Sequence, residues 1–213
     1  MILEACDLVK QYKSNLIINA INYTFKPGTI YTIQAPNGTG KTVLLRLLVG
    51  LIKPTEGFVA YDGLRVGRDI DFPLSLGLLI EGPSFIPYWT GLKNLEMLAS
   101  LKKICTTQQI CTLMERFSLD PLSLIPYKAY SLGMKQKLGI IAAFMEEPEL
   151  IVLDEPTNAL DIESLEVLKS MLIEAVQRGA TVLISSHDSD FLLGLNAERL
   201  TLKNGQLLEV SES

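Results

Sequence analysis

Eight residues constrain this chain more than any others: Ala35-Pro-Asn-Gly-Thr-Gly-Lys-Thr42. Ahead of them, Thr29-Ile-Tyr-Thr-Ile-Gln34 has strand chemistry and follows a Pro27-Gly28 turn. Behind them, Thr42 to Val49 has helical character and stops at Gly50. A loop of this kind folds tightly enough for successive amides to point inward at phosphate oxygens, and the helix adds its N-terminal partial positive charge. Lys41 suits the β- and γ-phosphates, and the Thr42 hydroxyl suits Mg²⁺. Pro36, Asn37, Gly38, Thr39, Gly40 and Val43 complete the candidate nucleotide-binding loop. The usual pattern begins with glycine, where this chain has Ala35. A methyl group there is a modest change if φ is negative and an obstacle if it is not. The competing reading is a glycine-rich turn with no ligand.

A second segment supplies the complementary chemistry. Leu150-Ile-Val-Leu-Asp-Glu155 reads as a buried strand ending in two acids, which carries Asp154 to the sheet's carboxyl edge, where α/β folds bind ligands. Asp154 is then a Mg²⁺ ligand, directly or through water, and Glu155 orients or deprotonates the attacking water. Two acids alone fit an ordinary solvated junction; after an apolar strand and downstream of a phosphate loop they point to chemistry.

Between these segments the pattern changes. Phe58 to Tyr61 before Asp62-Gly63 reads as one arm of a hairpin. From about Pro83 to Leu138 the chain is mostly helical, with Thr90 as an N-cap before Leu92, Leu95, Leu98 and Leu101 at helical spacing. Beyond Pro148, strand-like Leu150 to Leu153 and Thr181 to Ile184 flank a crossover helix at Ile162 to Val176. The expectation is an α/β core interrupted by a helical insertion.

Composition narrows the partners. Lys and Arg number 19 against 24 Asp and Glu, a net charge of −5, so no basic face for a duplex is expected and nucleic acid is not an expected partner. Mean hydropathy is +0.27, yet charges interrupt every run approaching the roughly 18 apolar residues of a membrane span. The N-terminus has no basic or apolar region of a secretory signal. Cys6, Cys105 and Cys111 lack metal spacing and read as reduced, mostly buried thiols of a cytosolic protein.

Three further motifs carry a resemblance. Tyr130-Ser-Leu-Gly-Met134 resembles the signature loop of ATP-binding cassette (ABC) ATPases, Pro156-Thr-Asn-Ala-Leu-Asp161 their D-loop, and Ser185-Ser-His187 their switch histidine. With the phosphate loop and the acidic strand, they follow the family's order over essentially the whole chain. The resemblance implies an α/β fold: a P-loop NTPase (RecA-like) core with an antiparallel β subdomain and an inserted α-helical subdomain. Residues 1–82 and 139–213 would form the core with its β subdomain, and 83–138 the helical subdomain, in a single domain spanning 1–213. It also implies that two cassettes sandwich two ATP molecules head to tail. Lys41, Thr42, Asp154 and Glu155 of one copy then face Ser131 and Gly133 of the other, a hydroxyl and helix-start amides forming a second anion site. Tyr12 stands where the family places an aromatic that stacks on adenine, a core tyrosine being the alternative. Asp161 joins the nucleotide-binding set. His187, the only histidine, takes the γ-phosphate and water-positioning role, against the plainer reading of a satisfied core or surface residue.

Departures from the pattern narrow it. Glu81, in Leu78-Leu-Ile-Glu-Gly-Pro83, stands where the family usually has glutamine. It still offers an oxygen to Mg²⁺, beside Thr42 and Asp154, unless it is a loop acid with no metal role. The signature has Leu132 for a glycine and Met134 for a glutamine. Together with Trp89-Thr-Gly-Leu-Lys-Asn-Leu95, these look like the bacitracin- and lantibiotic-export branch. Some members of that branch carry a C-terminal extension, which is not seen after Asn204-Gly205 here. The resemblance implies an ATPase using ATP and Mg²⁺, a homodimer or heterodimer, peripheral on the inner face of the cell membrane, serving a separate transmembrane permease. Phe85, Ile86, Tyr88 and Trp89 either line a groove for that permease's coupling helix or pack the helical subdomain onto the core. The alternatives are a soluble ABC ATPase acting on chromosomes or ribosomes, and a cassette that binds ATP as a switch without turning it over.

Overall fold

A computed structural model describes residues 1–36, 38–73 and 75–210, Ser189 by its backbone alone. Its centre is a six-stranded sheet in the order β10-β9-β3-β8-β7-β6, made of β3 (Ile30–Gln34), β6 (Leu76–Leu79), β7 (Leu150–Asp154), β8 (Thr181–Ser185), β9 (Ala197–Lys203) and β10 (Gln206–Glu209). Every pairing is parallel except the β9–β10 hairpin at the edge. A second sheet, antiparallel and in the order β2-β1-β4-β5, contains β1 (Leu3–Tyr12), β2 (Asn15–Phe25), β4 (Glu56–Tyr61) and β5 (Leu64–Arg65). The hairpin expected at Asp62-Gly63 is the β4–β5 turn, with both residues at positive φ.

The strands of the large sheet read as unbroken apolar runs because both faces are covered. In β7, Leu150 and Val152 pack into a core shared with the small sheet, while Ile151 and Leu153 enter a second core on the opposite face. The first core also takes α1 (Lys41–Leu48), whose Leu44, Leu45, Leu47 and Leu48 are fully or almost fully buried. Eight residues make a marginal helix in isolation; burial of four leucines, roughly 1.5–3 kcal/mol each, holds it and fixes Lys41 and Thr42 at its start. The second core gathers α2 (Gly91–Lys102), α3 (Thr107–Arg116), a 3-10 turn at Tyr127–Ala129, α4 (Leu132–Phe144) and α5 (Ile162–Gln177). The short α6 (Ser189–Leu192) follows β8.

Two expectations change. The boundary drawn between residues 138 and 139 falls inside α4, because Leu138-Gly-Ile-Ile141 continues the helix and carries it from the helical segment onto β6. The cysteines are half-buried rather than buried, all three with free thiols. No helix of the described residues is long and apolar enough to cross a membrane.

Candidate functional site

Strand order assembles the site. β8 lies between β3 and β7, so their carboxyl ends place three segments side by side: the loop after Gln34, Asp154-Glu155, and Ser185 to His187. Gly38 and Gly40 adopt φ of 78° and 105°, and a β-carbon on Gly40 would stand 2.6 Å from Ile17 Cγ2 of β2. Gly40 is also the N-cap of α1 and gives it no side-chain hydrogen bond, and no acid lies in its first turn. Ala35 is buried and lies outside the left-handed region, so its methyl group is accommodated. Thr39 donates its hydroxyl to Pro36 O at 2.7 Å, which tightens the loop. Asn37 lies outside the described residues.

A cavity of about 280 Å³ opens among Ile17, Gly38, Gly40, Lys41, Thr42 and Val43, with Asp154 and Glu155 opposite. Lys41 is buried and folds its ammonium back onto Ala35 O at 2.5 Å and His187 Nε2 at 2.9 Å. The Thr42 hydroxyl donates to Asp154 Oδ2 at 2.7 Å, and Ser185 Oγ donates to Asp154 Oδ1. Glu155 has a φ of 49°, and its amide bonds both Ser185 O (2.9 Å) and Ser185 Oγ (3.1 Å). Its Oε2 accepts from the His187 amide at 3.3 Å. Its Oε1 is buried and has no hydrogen-bond partner, although His187 Nε2 is only 3.2 Å away. The lysine explains this. An ammonium only donates, so in the tautomer whose Nε2 accepts from Lys41 that nitrogen has no hydrogen to direct at Glu155.

The structure separates the remaining expected residues from this cavity. Glu81 does not join Thr42 and Asp154; its carboxylate is ion-paired to Arg46 in the last turn of α1, a fixed cation that attracts an acid more than it would a glutamine. Asp161 is committed elsewhere. Its Oδ1 caps α5 by accepting from Ser164 N (2.8 Å) and Ser164 Oγ (2.6 Å), and its Oδ2 meets Lys137 Nζ at 2.9 Å. Those bonds, Ser164's first, hold its carboxyl well below the usual carboxylate range. Tyr12 ends β1, half exposed, with Lys10 Nζ 4.9 Å from its ring centre, and does not line the cavity. Ser131 and Gly133 start α4, where Ser131 Oγ accepts from Met134 N at 3.1 Å. Gly133 is required by close approach: a β-carbon would sit 2.7 Å from Ala159 O in the loop after β7.

Two residues escaped the sequence reading. Ser185 orients both acids, and only the Ser-Ser-His run hinted at it. Gln136, buried in α4, donates to Pro156 O (3.0 Å) and Glu155 O (3.3 Å), tying the helical layer to the acidic turn. Nothing local in its sequence distinguishes it from a surface glutamine.

A helix without a side-chain cap, behind a glycine loop at the carboxyl edge of a parallel sheet, defines a P-loop nucleotide-binding protein. Comparison with known proteins takes this further. Residues 18–158 match the family described as ABC transporter. The chain is 39% identical to the uncharacterized ABC transporter ATP-binding protein YybJ of Bacillus subtilis, over 99% of this chain and 96% of that one. It is 37% identical to the bacitracin transport ATP-binding protein BcrA of Enterococcus faecalis, over 87% of this chain but only 61% of that one. It is 31% identical to the lantibiotic transport ATP-binding protein SrtF of Streptococcus pyogenes, over 85% of this chain and 78% of that one. An ATP-binding subunit of an ABC transporter superposes with a TM-score of 0.89 at 24% identity, over 99% of this chain and 90% of that one. The dimeric post-hydrolysis cassette MJ0796 bound to ADP and Pi superposes with a TM-score of 0.82 at 23% identity, over 99% and 100%. These structures share the fold. The chain belongs to the ABC transporter family and is one of its ATP-binding cassettes.

Proposed function

We propose that this cassette hydrolyses Mg²⁺-ATP in a site completed by a second cassette. The observation that carries the reading is Glu155 Oε1, a buried carboxylate oxygen with no hydrogen-bond donor, beside the cavity that holds Lys41, Thr42 and Asp154. An unpaired buried acceptor is costly, and a water molecule attacking phosphate supplies the missing proton. Lys41 and the loop amides around Gly38 and Gly40 hold the phosphates. Pro36, Asn37, Thr39 and Val43 shape the same loop.

Thr42 and Asp154 are the residues for Mg²⁺. Their hydroxyl and carboxylate are hard oxygen donors already in contact, and Mg²⁺ keeps several waters and phosphate oxygens besides one or two protein ligands. Among the described residues no cluster of three or more His, Cys, Asp and Glu could hold a metal alone, which agrees with a site that borrows from its nucleotide. Bound there, the ion neutralises charge on the phosphates. His187, held between Lys41 and Glu155, positions the water and the γ-phosphate. Tyr12 stacks on adenine from the β1 end, and Ser131 with Gly133 meets the phosphates bound by the second copy.

The cargo is a membrane-active peptide or another amphipathic molecule, exported through a separate permease at the inner face of the membrane. Kinship with BcrA and SrtF supports this. The helical layer also exposes Tyr88, Leu122 and Leu124 at 74%, 84% and 89%. Backbone bonds tie residues 87–90 to 126–128, which joins the segment of Tyr88 to the one that follows Leu122 and Leu124. Of the expected aromatic cluster, Phe85 packs inward on Tyr127 at 5.2 Å, while Ile86 and Tyr88 face solvent.

Glu155→Gln tests the hydrolytic role. Phosphate release falls by about 100- to 10,000-fold while ATP affinity persists in equilibrium binding. Turnover at the wild-type rate overturns the assignment of Glu155 as base.

A further inference from the structure

Arg46 lies in the last turn of α1, four residues after Thr42. Residues so spaced share a helix face one turn apart, about 6 Å along the axis. The Arg46 guanidinium is ion-paired with Glu81 in the loop after β6. Glu81 and Gly82 are both left-handed, with φ of 60° and 83°, in the loop that returns the carboxylate to α1. The two side chains are 34% and 58% exposed, so the pair is partly solvated and exchangeable. The contact depends on the acid at position 81, since a glutamine has no charge to offer the guanidinium. Asp154, the neighbouring acid, already has both oxygens bonded, by Thr42 and Ser185.

We propose that Arg46 is the positioning residue for Glu81. It holds the carboxylate in an ion pair away from Thr42 and Asp154, and a divalent cation arriving with nucleotide competes with the guanidinium for it. The proposal rests on the reading that the Thr42–Asp154 corner receives magnesium-nucleotide.

The test is calorimetric titration of a non-hydrolysable ATP analogue across a range of Mg²⁺ concentrations. The proteins are the wild type, Arg46→Met, Arg46→Lys, Glu81→Gln and the Arg46→Met/Glu81→Gln double variant. Arg46→Met lowers the Mg²⁺ concentration for half-maximal binding by about two- to fivefold. Arg46→Lys keeps the cation and stays near the wild type, and Arg46→Met has no effect once Glu81→Gln is present. An equal shift with and without Glu81→Gln overturns the proposal. Amide hydrogen exchange without nucleotide gives an independent measure. The amides of residues 80–82 exchange faster in Arg46→Met than in the wild type or Arg46→Lys, and unchanged exchange overturns the pairing. A wild-type chain that binds no analogue overturns the underlying site reading instead, and the exchange data keep the two failures apart.

Discussion

The N-termini of α1 and α4 are built from similar materials and left in opposite states. Both begin without an acid in the first turn. At α4, Ser131 spends its side chain on the helix it starts, as Thr90, Thr106 and Asp161 do for α2, α3 and α5. At α1, glycine takes the cap position and supplies no acceptor. A helix start without a side-chain cap, with a buried lysine pointing over it, is a poor design for stability and a good one for an anion. The difference shows where nucleotide charge is met within one chain. It also shows that Ser131 has a structural task of its own before any second copy approaches.

The comparison breaks most severely at Lys41. Lys41→Met removes the cation from the α1 site and leaves α4 untouched, so ATP affinity drops by about 10- to 100-fold, measured by equilibrium binding. A small loss places the anion elsewhere. Ser131 separates capping from ligation. Ser131→Ala removes the cap and costs about 1 kcal/mol in denaturant unfolding, whereas Ser131→Gly costs only a few tenths, because glycine is tolerated at N-caps. If the hydroxyl also meets a second copy's phosphate, both variants lose ATP-dependent dimerisation equally, despite their different stabilities. Dimerisation that follows stability reduces Ser131 to a cap.

The smallest effect belongs to Asp161. Its folded carboxyl is held below the ordinary value by Ser164 and Lys137, so it stabilises the fold above the ordinary value and that contribution is lost as pH falls through the folded one. Unfolding midpoints measured from pH 6 downward therefore fall more steeply for the wild type than for Asp161→Asn, chiefly below about pH 4. Parallel curves remove the capping role.

Legibility in the sequence followed the range of the interactions. The phosphate loop, the acidic strand and the Thr90 cap were readable because each depends on neighbours within a few residues. Asp161 is legible only in part: its motif position points to nucleotide, whereas its hydrogen-bond partners within the chain are Ser164, three residues on, and Lys137 on another helix. Gln136 and Ser185 were overlooked because their partners lie across the fold, at Pro156 and Glu155 and at Asp154 respectively. The α4 boundary failed for a related reason: helical sequence continues regardless of which layer each turn packs against.

The sequence by itself determined the elements, the two-sided burial of the central strands, and the chemical kinds of side chain at the strand ends. Periodicity, caps and glycine torsions act locally and leave marks in the order of residues. Only the tertiary structure decided that β8 enters between β3 and β7, that Lys41 thereby reaches His187 and leaves Glu155 Oε1 without a donor, and that Glu81 turns to Arg46 rather than to Thr42. Strand order and ion-pair choice are settled by competition among groups far apart in the chain, and no local pattern records who wins it.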